Sequence, residues 1–473
     1  MTDESDIYVP KRELSTLNDD SDFRRIKELK ETFKAEYLTE PTFVVRVPGR
    51  VNLIGEHIDY CGYPVFPMAI QQSILLAVCP SNDNILHLKN TNPKYHSFKT
   101  SLSDFVIDLP ENGAPNWYSY FLCGVKGILE HLKEEENLMS QTGFMVVISG
   151  NVPPSAGLSS SSALVSAAVL GTAFLHKVPL KKQTLATIAA KCERYIGTQG
   201  GGMDQAIAFL AKQGTAQYIE WNPLKATPVE LPANAIFVIA NSLSEANKAA
   251  SHHFNQRVVE CRLGCRLIAK KLNLSWREIT RFADLQALLK CSLNEMIQYA
   301  EKFLTEKSYN VNELLSIFEI TEEDFHKNLL SHNTQHLQDF KLRQRALHVL
   351  QEAQRVEKFR EAAVNGSSIE ILAKLMNESH DSLDDLYECS NSNLNELVTI
   401  GRSTESGIRL TGAGFGGCVV ALCDSIAKCE KFMTAAKEKY FKKLLENGKL
   451  KEEELENVLF MTSPQRGAEI LML

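Results

Sequence analysis

The spacing of apolar residues divides the chain into a strand-rich first part and a largely helical second part. Apolar side chains at helical spacing predict a first helix over 21–37. Short alternating or continuous apolar runs then predict strands with helices between them. These strands are expected at 42–47, 73–79, 85–89, 144–149, 215–221 and, after a boundary at 231–234, at 235–240.

The second part is helical in period from 256 to 402, including a long helix over about 334–364. Alternation returns only at Arg409, and the rest of the chain predicts a helix over 426–441 and a final strand over 467–473.

Charged side chains are concentrated in residues 48–63, PGRVNLIGEHIDYCGY, which follow a predicted strand. Arg50, Glu56, His57 and Asp59 are expected at the strand end and in the turn that leaves it. Together they supply donors and acceptors of several geometries, which suits the hydroxyls of a small polyol such as a sugar. Taken alone, the stretch is equally compatible with a solvated turn that carries an ion pair.

A second stretch, NVPPSAGLSSSSAL at 151–164, separates a predicted strand from an apolar segment, 163–174, that predicts a buried helix. Backbone amides at such a loop and helix start favour phosphate, and four consecutive serines can donate to phosphate or bind a metal. The loop has no lysine, so it is not a Walker A loop, and the protein-kinase motifs are missing. A purely structural helix cap is the alternative.

The third stretch, RLTGAGFGGCVV at 409–420, satisfies the dinucleotide-binding spacing G-x-G-x-x-G through Gly412, Gly414 and Gly417. That fingerprint must open a helix, whereas the following CVVALC predicts a strand. We therefore predict a glycine loop between two strands, whose backbone can approach a ligand or the serine-rich loop.

These three stretches, in this order, resemble the signature motifs of the GHMP kinases, the family of galactokinase, homoserine, mevalonate and phosphomevalonate kinases. PGRVNLIGEHIDY is similar to the galactokinase signature. EHIDYCGY, together with ERYIGTQGGGMDQ at 193–205, resembles most closely the N-acetylgalactosamine kinase branch. The similarity runs over about 33–473.

The resemblance implies an α+β fold of two domains. A ribosomal-S5-like N-terminal domain is expected over 1–231, and a ferredoxin-like C-terminal domain over 232–473 with a helical insertion at 256–402. The glycine loops are expected to converge in the cleft between the domains.

The resemblance also assigns a catalytic pair. Glycines at 200–202 run into Asp204, so a backbone without side chains delivers a carboxylate close to a ligand. In galactokinases the matching aspartate is proposed to take the proton of the anomeric hydroxyl, and the matching arginine lies between it and the γ-phosphate. Asp204 is then the candidate base and Arg50 the charge stabiliser. From the residues alone, a glycine-rich turn with a capping aspartate is the alternative.

Further contacts follow from the same resemblance. The expected sugar-binding residues are Arg50, Glu56, His57, Asp59, Gly201, Asp204 and Phe254. The expected nucleotide-binding residues are Trp117, Pro154, Gly157, Leu158, Ser159, Ser160, Ser161, Ser162 and Gly414. The family places Mg²⁺ on the residues matching Ser161 and Glu193, with ATP as co-substrate. From the residues alone, Glu193 reads as a solvent-exposed glutamate and Trp117 as a core residue.

The implied activity is transfer of the γ-phosphate of ATP to the anomeric hydroxyl of N-acetylgalactosamine, with galactose as a poorer substrate. Phe254 stands where galactokinases have a tyrosine, and CGY replaces NDG after Asp59, changes that are compatible with an acetamido group. The alternatives are a galactokinase whose main substrate is galactose and a sensor of galactose and ATP without catalysis. A sensor should carry damage in the serine loop, Arg50 or Asp204, and all of these are intact.

Composition predicts a cytoplasmic enzyme. The 473 residues carry a formal net charge of −7 without a basic stripe, which argues against nucleic acid as a partner. Eleven cysteines without a paired pattern indicate reduced thiols. The acidic start MTDESD resembles neither a signal nor a transit peptide, and no apolar run is long enough for a membrane span. We expect a monomer that binds only small molecules.

Overall fold

The computed structural model describes residues 7–17, 21–108, 115–134, 142–244 and 250–473. The strands of this part are β1 Lys11–Glu13, β2 Phe43–Asn52, β3 Pro67–Pro80, β4 Ile85–Asn90, β5 Phe98–Ser101, β6 Phe144–Gly150, β7 Thr215–Trp221, β8 Leu224–Glu230, β9 Ile236–Asn241, β10 Tyr309–Asn310, β11 Asp339–Phe340, β12 Gly407–Thr411, β13 Cys418–Cys423, β14 Leu459–Thr462 and β15 Glu469–Met472.

The α-helices of the same part are α1 Ser21–Tyr37, α2 Trp117–Glu134, α3 Ser160–Leu175, α4 Lys182–Cys192, α5 Met203–Leu210, α6 Ala250–Lys271, α7 Phe282–Leu289, α8 Leu293–Phe303, α9 Val311–Phe318, α10 Glu322–Leu329, α11 Leu342–Val364, α12 Ile369–Asp385, α13 Ser392–Arg402, α14 Ile426–Ala436, α15 Lys442–Glu446 and α16 Leu455–Val458.

A seven-stranded sheet in the order β1-β15-β2-β3-β6-β4-β5 forms the first layer. Its central strand β3 pairs antiparallel with both β2 and β6, and all three strands are buried along most of their length. On one face, Ile26, Leu29 and Phe33 of α1 pack against Val44 and Leu75. The helices α3 and α5 pack on the sheet as well. Continuous apolar runs are expected for strands that are covered on both faces.

The second sheet is antiparallel, in the order β12-β13-β9-β14. Both β12 and β13 are buried at every position, which the apolar sequence CVVALC predicts for β13, whereas β12 buries Arg409 and Thr411 as well. They are joined by the glycine loop, which confirms the interpretation of G-x-G-x-x-G as a turn between strands.

The last strand corrects one part of the predicted domain division. Residues 232–473 were expected in the second domain, but β15 pairs with β1 and β2 in the first sheet. Two ion pairs join it to its neighbours, since Glu469 is 1% exposed and pairs with Arg12 of β1 at 3.3 Å and with Arg46 of β2 at 3.9 Å. The apolar side chains of Ile470 and Leu471 are buried beside it. The boundary near residue 231 stays a prediction.

Two helices end or begin elsewhere than the periodicity predicts. The long helix begins at Leu342 rather than near 334, because β11 pairs with β10 immediately before it. The spacing of apolar residues over 183–196 predicts one amphipathic helix, but the helix ends at Cys192 and continues as the 3-10 turn Glu193–Ile196, which Gly197 closes with a φ of 85°. This tighter turn changes the direction of Glu193.

No helix within the described ranges is both long and apolar enough to span a membrane. All eleven cysteines are free thiols.

Candidate active site

Arg50 connects three of the predicted motifs. It lies near the end of β2, just after an irregularity in the pairing with β3 between Pro48 and Arg50. Its Nε donates to Oδ1 of Asp204 at 2.7 Å, and its Nη1 donates to the carbonyl of Gly157 at 2.5 Å. The side chain of Arg50 is almost fully buried. One guanidinium therefore joins the candidate base to the serine-rich loop.

The serine-rich loop and the third glycine loop are packed backbone to backbone. A Cβ on Gly157 would lie 2.7 Å from the carbonyl oxygen of Thr411, and one on Gly417 would lie 2.8 Å from the carbonyl of Ala156. Gly414 is equally confined, since its Cβ would lie 2.3 Å from the carbonyl oxygen of Cys389. Glycine is the residue that permits such close approach. The structure therefore confirms the expected contact between the serine-rich loop and the third glycine loop.

The loop that carries Asp204 lies against the sugar signature. A Cβ on Gly201 would be 2.5 Å from Cγ of Asp59 and 2.3 Å from the backbone nitrogen of Tyr60. Asp204 is the second residue of α5, and the backbone N–H of Met203 donates to Asp59 at 3.3 Å. Burial, together with the nearby charge of Asp204, raises the pKa of Asp59 to about 6.

Glu56 and His57 bond to protein groups. Glu56 accepts from the side chains of Asn52 at 3.0 Å and Arg409 at 2.8 Å, and from the backbone of Gly412 at 2.9 Å. The imidazole of His57 bonds to the hydroxyl of Tyr60 and the carbonyl of Ala413. Burial lowers the pKa of His57 to about 3, so the ring is neutral at physiological pH. Both residues fasten the signature to the third glycine loop.

The helix α11 also supports the signature. His348 on α11 bonds to the carbonyl of Glu56 at 3.1 Å, and Glu352 accepts from the backbone of Gly55 at 2.9 Å. Burial works against ionisation of Glu352, but nearby positive charge, led by Arg355, and the hydrogen bond from Ser379 together outweigh it, and the pKa falls to about 2. His348 and Glu352 are both fully buried. The motifs alone miss these residues. The sequence does contain one sign of them: His348 and Glu352 are one helical turn apart among apolar positions of a predicted helix, which indicates polar groups on its buried face.

Glu193 is 6% exposed, so the interpretation as a solvent-exposed glutamate is wrong. It accepts from the hydroxyl of Ser162 at 2.8 Å and also from Gln205. Ser162 further donates to Asp204 at 3.3 Å. Burial raises the pKa of Glu193 to about 7, and the charge of Asp204 acts in the same direction.

The oxygen donors around Glu193 fit a small divalent cation. A positive charge between the carboxylates of Glu193 and Asp204 would relieve the repulsion that helps to raise the pKa of Glu193, and hard oxygen ligands suit Mg²⁺. The described residues contain no cluster of three or more histidine, cysteine, aspartate or glutamate side chains. Solvent and phosphate oxygens must then complete any coordination shell. Hydroxyls of both Ser161 and Ser162 lower the pKa of Glu193, so either is close enough to share the ion.

The serine loop joins β6 to α3, as predicted, and its hydroxyl-bearing residues occupy the first turn. Ser159 immediately precedes α3 with a φ of 62°, a left-handed conformation that is uncommon outside glycine. Pro154, Gly157 and Leu158 form the turn before it, and the Leu158 carbonyl accepts from the backbone N–H of Arg50. The helix start and the loop amides provide the electropositive surface expected of a phosphate site.

The two aromatic candidates, Phe254 and Trp117, lie in different surroundings, and the binding role of each stays a prediction. Phe254 on α6 lies beside the signature, with its ring centroid 5.6 Å from that of His57 and 5.7 Å from that of Tyr60. Trp117 is partly buried at the start of α2, donates to the carbonyl of His96 and packs near Tyr95. Its role in binding adenine stays a prediction. The segment 241–262 that contains Phe254 includes residues 245–249, which lie outside the described part.

Three family models match the chain. They are the galactokinase galactose-binding signature over residues 31–80, the GHMP kinase N-terminal domain over 124–212 and the GHMP kinase C-terminal domain over 339–442. A galactokinase of Dictyostelium discoideum is 39% identical, covering 95% of both chains. The galactokinase of Saccharomyces cerevisiae is 33% identical and covers 92% of both. The chain belongs to the galactokinase family.

The fold of this galactokinase relative agrees with solved structures. A Lactococcus lactis galactokinase crystallised with galactose aligns with a TM-score of 0.70 at 24% identity, covering 95% of this chain and 100% of that one. A mevalonate kinase aligns with a TM-score of 0.51 at 18% identity, covering 91% and 99%. The α+β fold with GHMP kinase N- and C-terminal domains is therefore confirmed, and the chain is a sugar kinase of the galactokinase type.

Proposed function

We propose that this chain transfers the γ-phosphate of ATP to the anomeric hydroxyl of a hexose with the galactose configuration. The observation that carries the proposal is the position of Arg50, which bonds at once to Asp204 and to the serine-rich loop. A sugar hydroxyl held by Asp204 and a triphosphate bound to the serine-rich loop would then both lie next to the guanidinium of Arg50.

In this proposal Asp204 accepts the proton of the attacking hydroxyl, and Arg50 stabilises charge on the transferred phosphoryl group. The transition state of phosphoryl transfer is loose, so a strong base is unnecessary and positioning supplies most of the catalysis. Asp59 and Gly201, which pack against each other beside Asp204, contribute sugar contacts. Glu56 and His57 act mainly as positioning residues, since their bonds are to Arg409, Gly412 and other protein groups.

The triphosphate binds the loop between β6 and α3 through backbone amides and serine hydroxyls. The residues proposed for the nucleotide are Pro154, Gly157, Leu158, Ser159, Ser160, Ser161, Ser162, Gly414 and, for adenine, Trp117. Glu193 and Ser161 are proposed to hold Mg²⁺. When bound, the ion neutralises phosphate charge. Gln205 and Ser162 fix the carboxylate of Glu193 for this purpose.

Galactose is the acceptor that the relatives' names support, and this favours it over N-acetylgalactosamine as the main substrate. N-acetylgalactosamine is the second candidate, supported by the apolar ring of Phe254 beside His57 and Tyr60. The CGY change carries less weight, because Cys61 is 2% exposed and belongs to the core. A pocket that admits a larger group still accepts a smaller one, at a cost of about 1–3 kcal/mol.

ADP release from ATP and Mg²⁺ tests the proposal, measured with galactose, N-acetylgalactosamine or no sugar. Sugar-dependent release with a 1-phosphate product supports a kinase, and the ratio of kcat/KM for the two sugars decides the main acceptor. Binding of both ligands without turnover would instead identify a sensor. We also propose that the enzyme is a cytoplasmic monomer, which the mass in solution and fractionation of cells would test.

A further inference from the structure

A cavity of about 440 Å³ opens between the sugar signature and the helical insertion. Asp59, Tyr60 and Gly201 form one wall. The other walls come from α6, from the residues just before α7 and from the end of α10. Four guanidinium groups line it, those of Arg194, Arg262, Arg266 and Arg281.

Arg266 is 8% exposed, and its Nε has no hydrogen-bond partner among the described residues. Burial lowers the pKa of Arg266, and the charge of Arg262, one helical turn away on α6, lowers it further. A buried cation without a counter-charge is costly, and like charges four residues apart on a helix repel. An anion in the cavity would offset both costs.

The neighbouring arginines are only partly neutralised. Arg262 donates from both terminal nitrogens to the amide oxygen of Gln199, at 3.4 and 3.3 Å, which is a neutral acceptor. Arg281 pairs with Asp284 at 2.7 and 2.8 Å. Among the described residues that line the cavity, Asp59 is the only carboxylate. The lining as a whole carries an excess of positive charge.

We propose that this cavity binds a phosphorylated small molecule, whose phosphate is held by Arg266, Arg262 and Arg194. Guanidinium groups present paired N–H donors that match phosphate oxygens. Neutral polar side chains complete the lining and suit the hydroxyls of an ester, namely Gln199, Thr280, Asn328 and Ser331. The volume lies in the range of small-molecule sites, about 300–1,000 Å³.

The cavity lies outside the proposed triphosphate site, because no lining residue belongs to the serine-rich loop, and it shares Asp59 and Gly201 with the proposed sugar site. The probe is inorganic phosphate, titrated by calorimetry into the full chain saturated with Mg²⁺, a non-hydrolysable ATP analogue and galactose, so that the active site is filled. Ionic strength is held constant with chloride. A parallel titration with galactose 1-phosphate distinguishes a site for esters, which would bind the ester more tightly, from a site for free phosphate.

We expect one bound phosphate, with affinity lowered about tenfold or more in Arg266→Gln, as befits loss of charged hydrogen bonds. Arg262→Gln, at a less buried position, should also lower the affinity for phosphate. If Arg266→Gln does not fold, the affinity of Arg262→Gln tests the proposal. Arg343→Gln is the matched control, since Arg343 lies on α11 and pairs with Glu306 away from the cavity. Absence of binding at millimolar phosphate, or equal affinity in wild type and both variants, would overturn the proposal.

Discussion

Gly412 and Gly157 are in direct backbone contact: a Cβ on Gly412 would lie 2.4 Å from the carbonyl oxygen of Gly157 and 2.7 Å from its Cα. Gly157 lies in the serine-rich loop that follows β6 of the first sheet, and Gly412 lies in the glycine loop between β12 and β13 of the second sheet. The contact therefore joins the serine-rich loop to the second sheet. It leaves no space for a side chain.

Gly412→Ala should therefore destabilise the protein by about 2–4 kcal/mol, through overpacking added to left-handed strain. The control is Gly448→Ala, because Gly448 has a similar φ of 72° but open surroundings and reports only strain, about 1 kcal/mol. Chemical denaturation and the KM for ATP measure the effect. Equal losses in the two variants would show that the contact with Gly157 does not matter.

Asp204→Asn should lower kcat about 100-fold or more while changing sugar affinity only a few-fold, since proton acceptance is lost and the shape is kept. Steady-state kinetics and a separate binding titration with galactose measure the two effects. Asp339→Asn, an exposed aspartate on β11, is the control and should behave as wild type. Near-normal turnover by Asp204→Asn would refute its role as the base.

Glu193→Gln should raise the Mg²⁺ concentration needed for half-maximal activity by about tenfold or more, because a charged ligand becomes neutral. Ser161→Ala and Ser162→Ala separate the two hydroxyls. We expect the Mg²⁺ titration to shift more in Ser161→Ala, with Ser162→Ala acting indirectly by releasing Glu193. An unchanged titration in Glu193→Gln would move the cation elsewhere.

Phe254→Tyr should shift the ratio of kcat/KM toward galactose by about two- to tenfold, the range of one hydrogen bond. The added hydroxyl would lie beside His57 and Tyr60, where it reduces the apolar surface available to an acetamido group. Phe303→Tyr on α8 is the control. If the two sugars keep their ratio in Phe254→Tyr, this ring does not set specificity.

His348→Gln should flatten the pH dependence of stability. Burial lowers the pKa of His348 to about 4, so below about pH 6.5 the unfolded chain binds a proton that the folded chain refuses. The free energy of unfolding of the wild type should therefore decrease as the pH is lowered through this range. His348 accounts for about 1.4 kcal/mol of that decrease per pH unit. Denaturant titrations from neutral pH down to about pH 5 compare the slopes. Parallel curves would contradict a neutral buried His348.

The spacing of apolar residues predicted helices and strands well where the bounds of an element depend only on the residues within it. The helix α1 and the strand β7 have the predicted bounds, and the strand character of CVVALC decided the glycine loop correctly. The contact between the loops was expected from the family resemblance and from the lack of side chains. The burial of Glu193 was not predicted from its residues, because it depends on Ser162 and Gln205 closing over it in three dimensions.

Periodicity cannot reveal pairings between distant segments, which explains the remaining differences. Nothing in the apolar run at 467–473 indicates that β15 joins the first sheet, since the ion pairs of Glu469 with the distant residues Arg12 and Arg46 form only after folding. The partners of Glu56 were likewise hidden, because a carboxylate in a polar motif can equally face a ligand or Arg409.

The hydrogen bonds from α11 to the signature constrain how this enzyme is made. Gly55 and Glu56 obtain partners from Glu352 and His348, which follow 297 and 292 residues later. A ribosome must synthesise most of the polypeptide before that segment can reach its final conformation. In a nascent chain that stalls before α11 is made, Gly55 and Glu56 should remain exposed to solvent. A gene fragment that ends before α11 should yield a product that does not bind sugar.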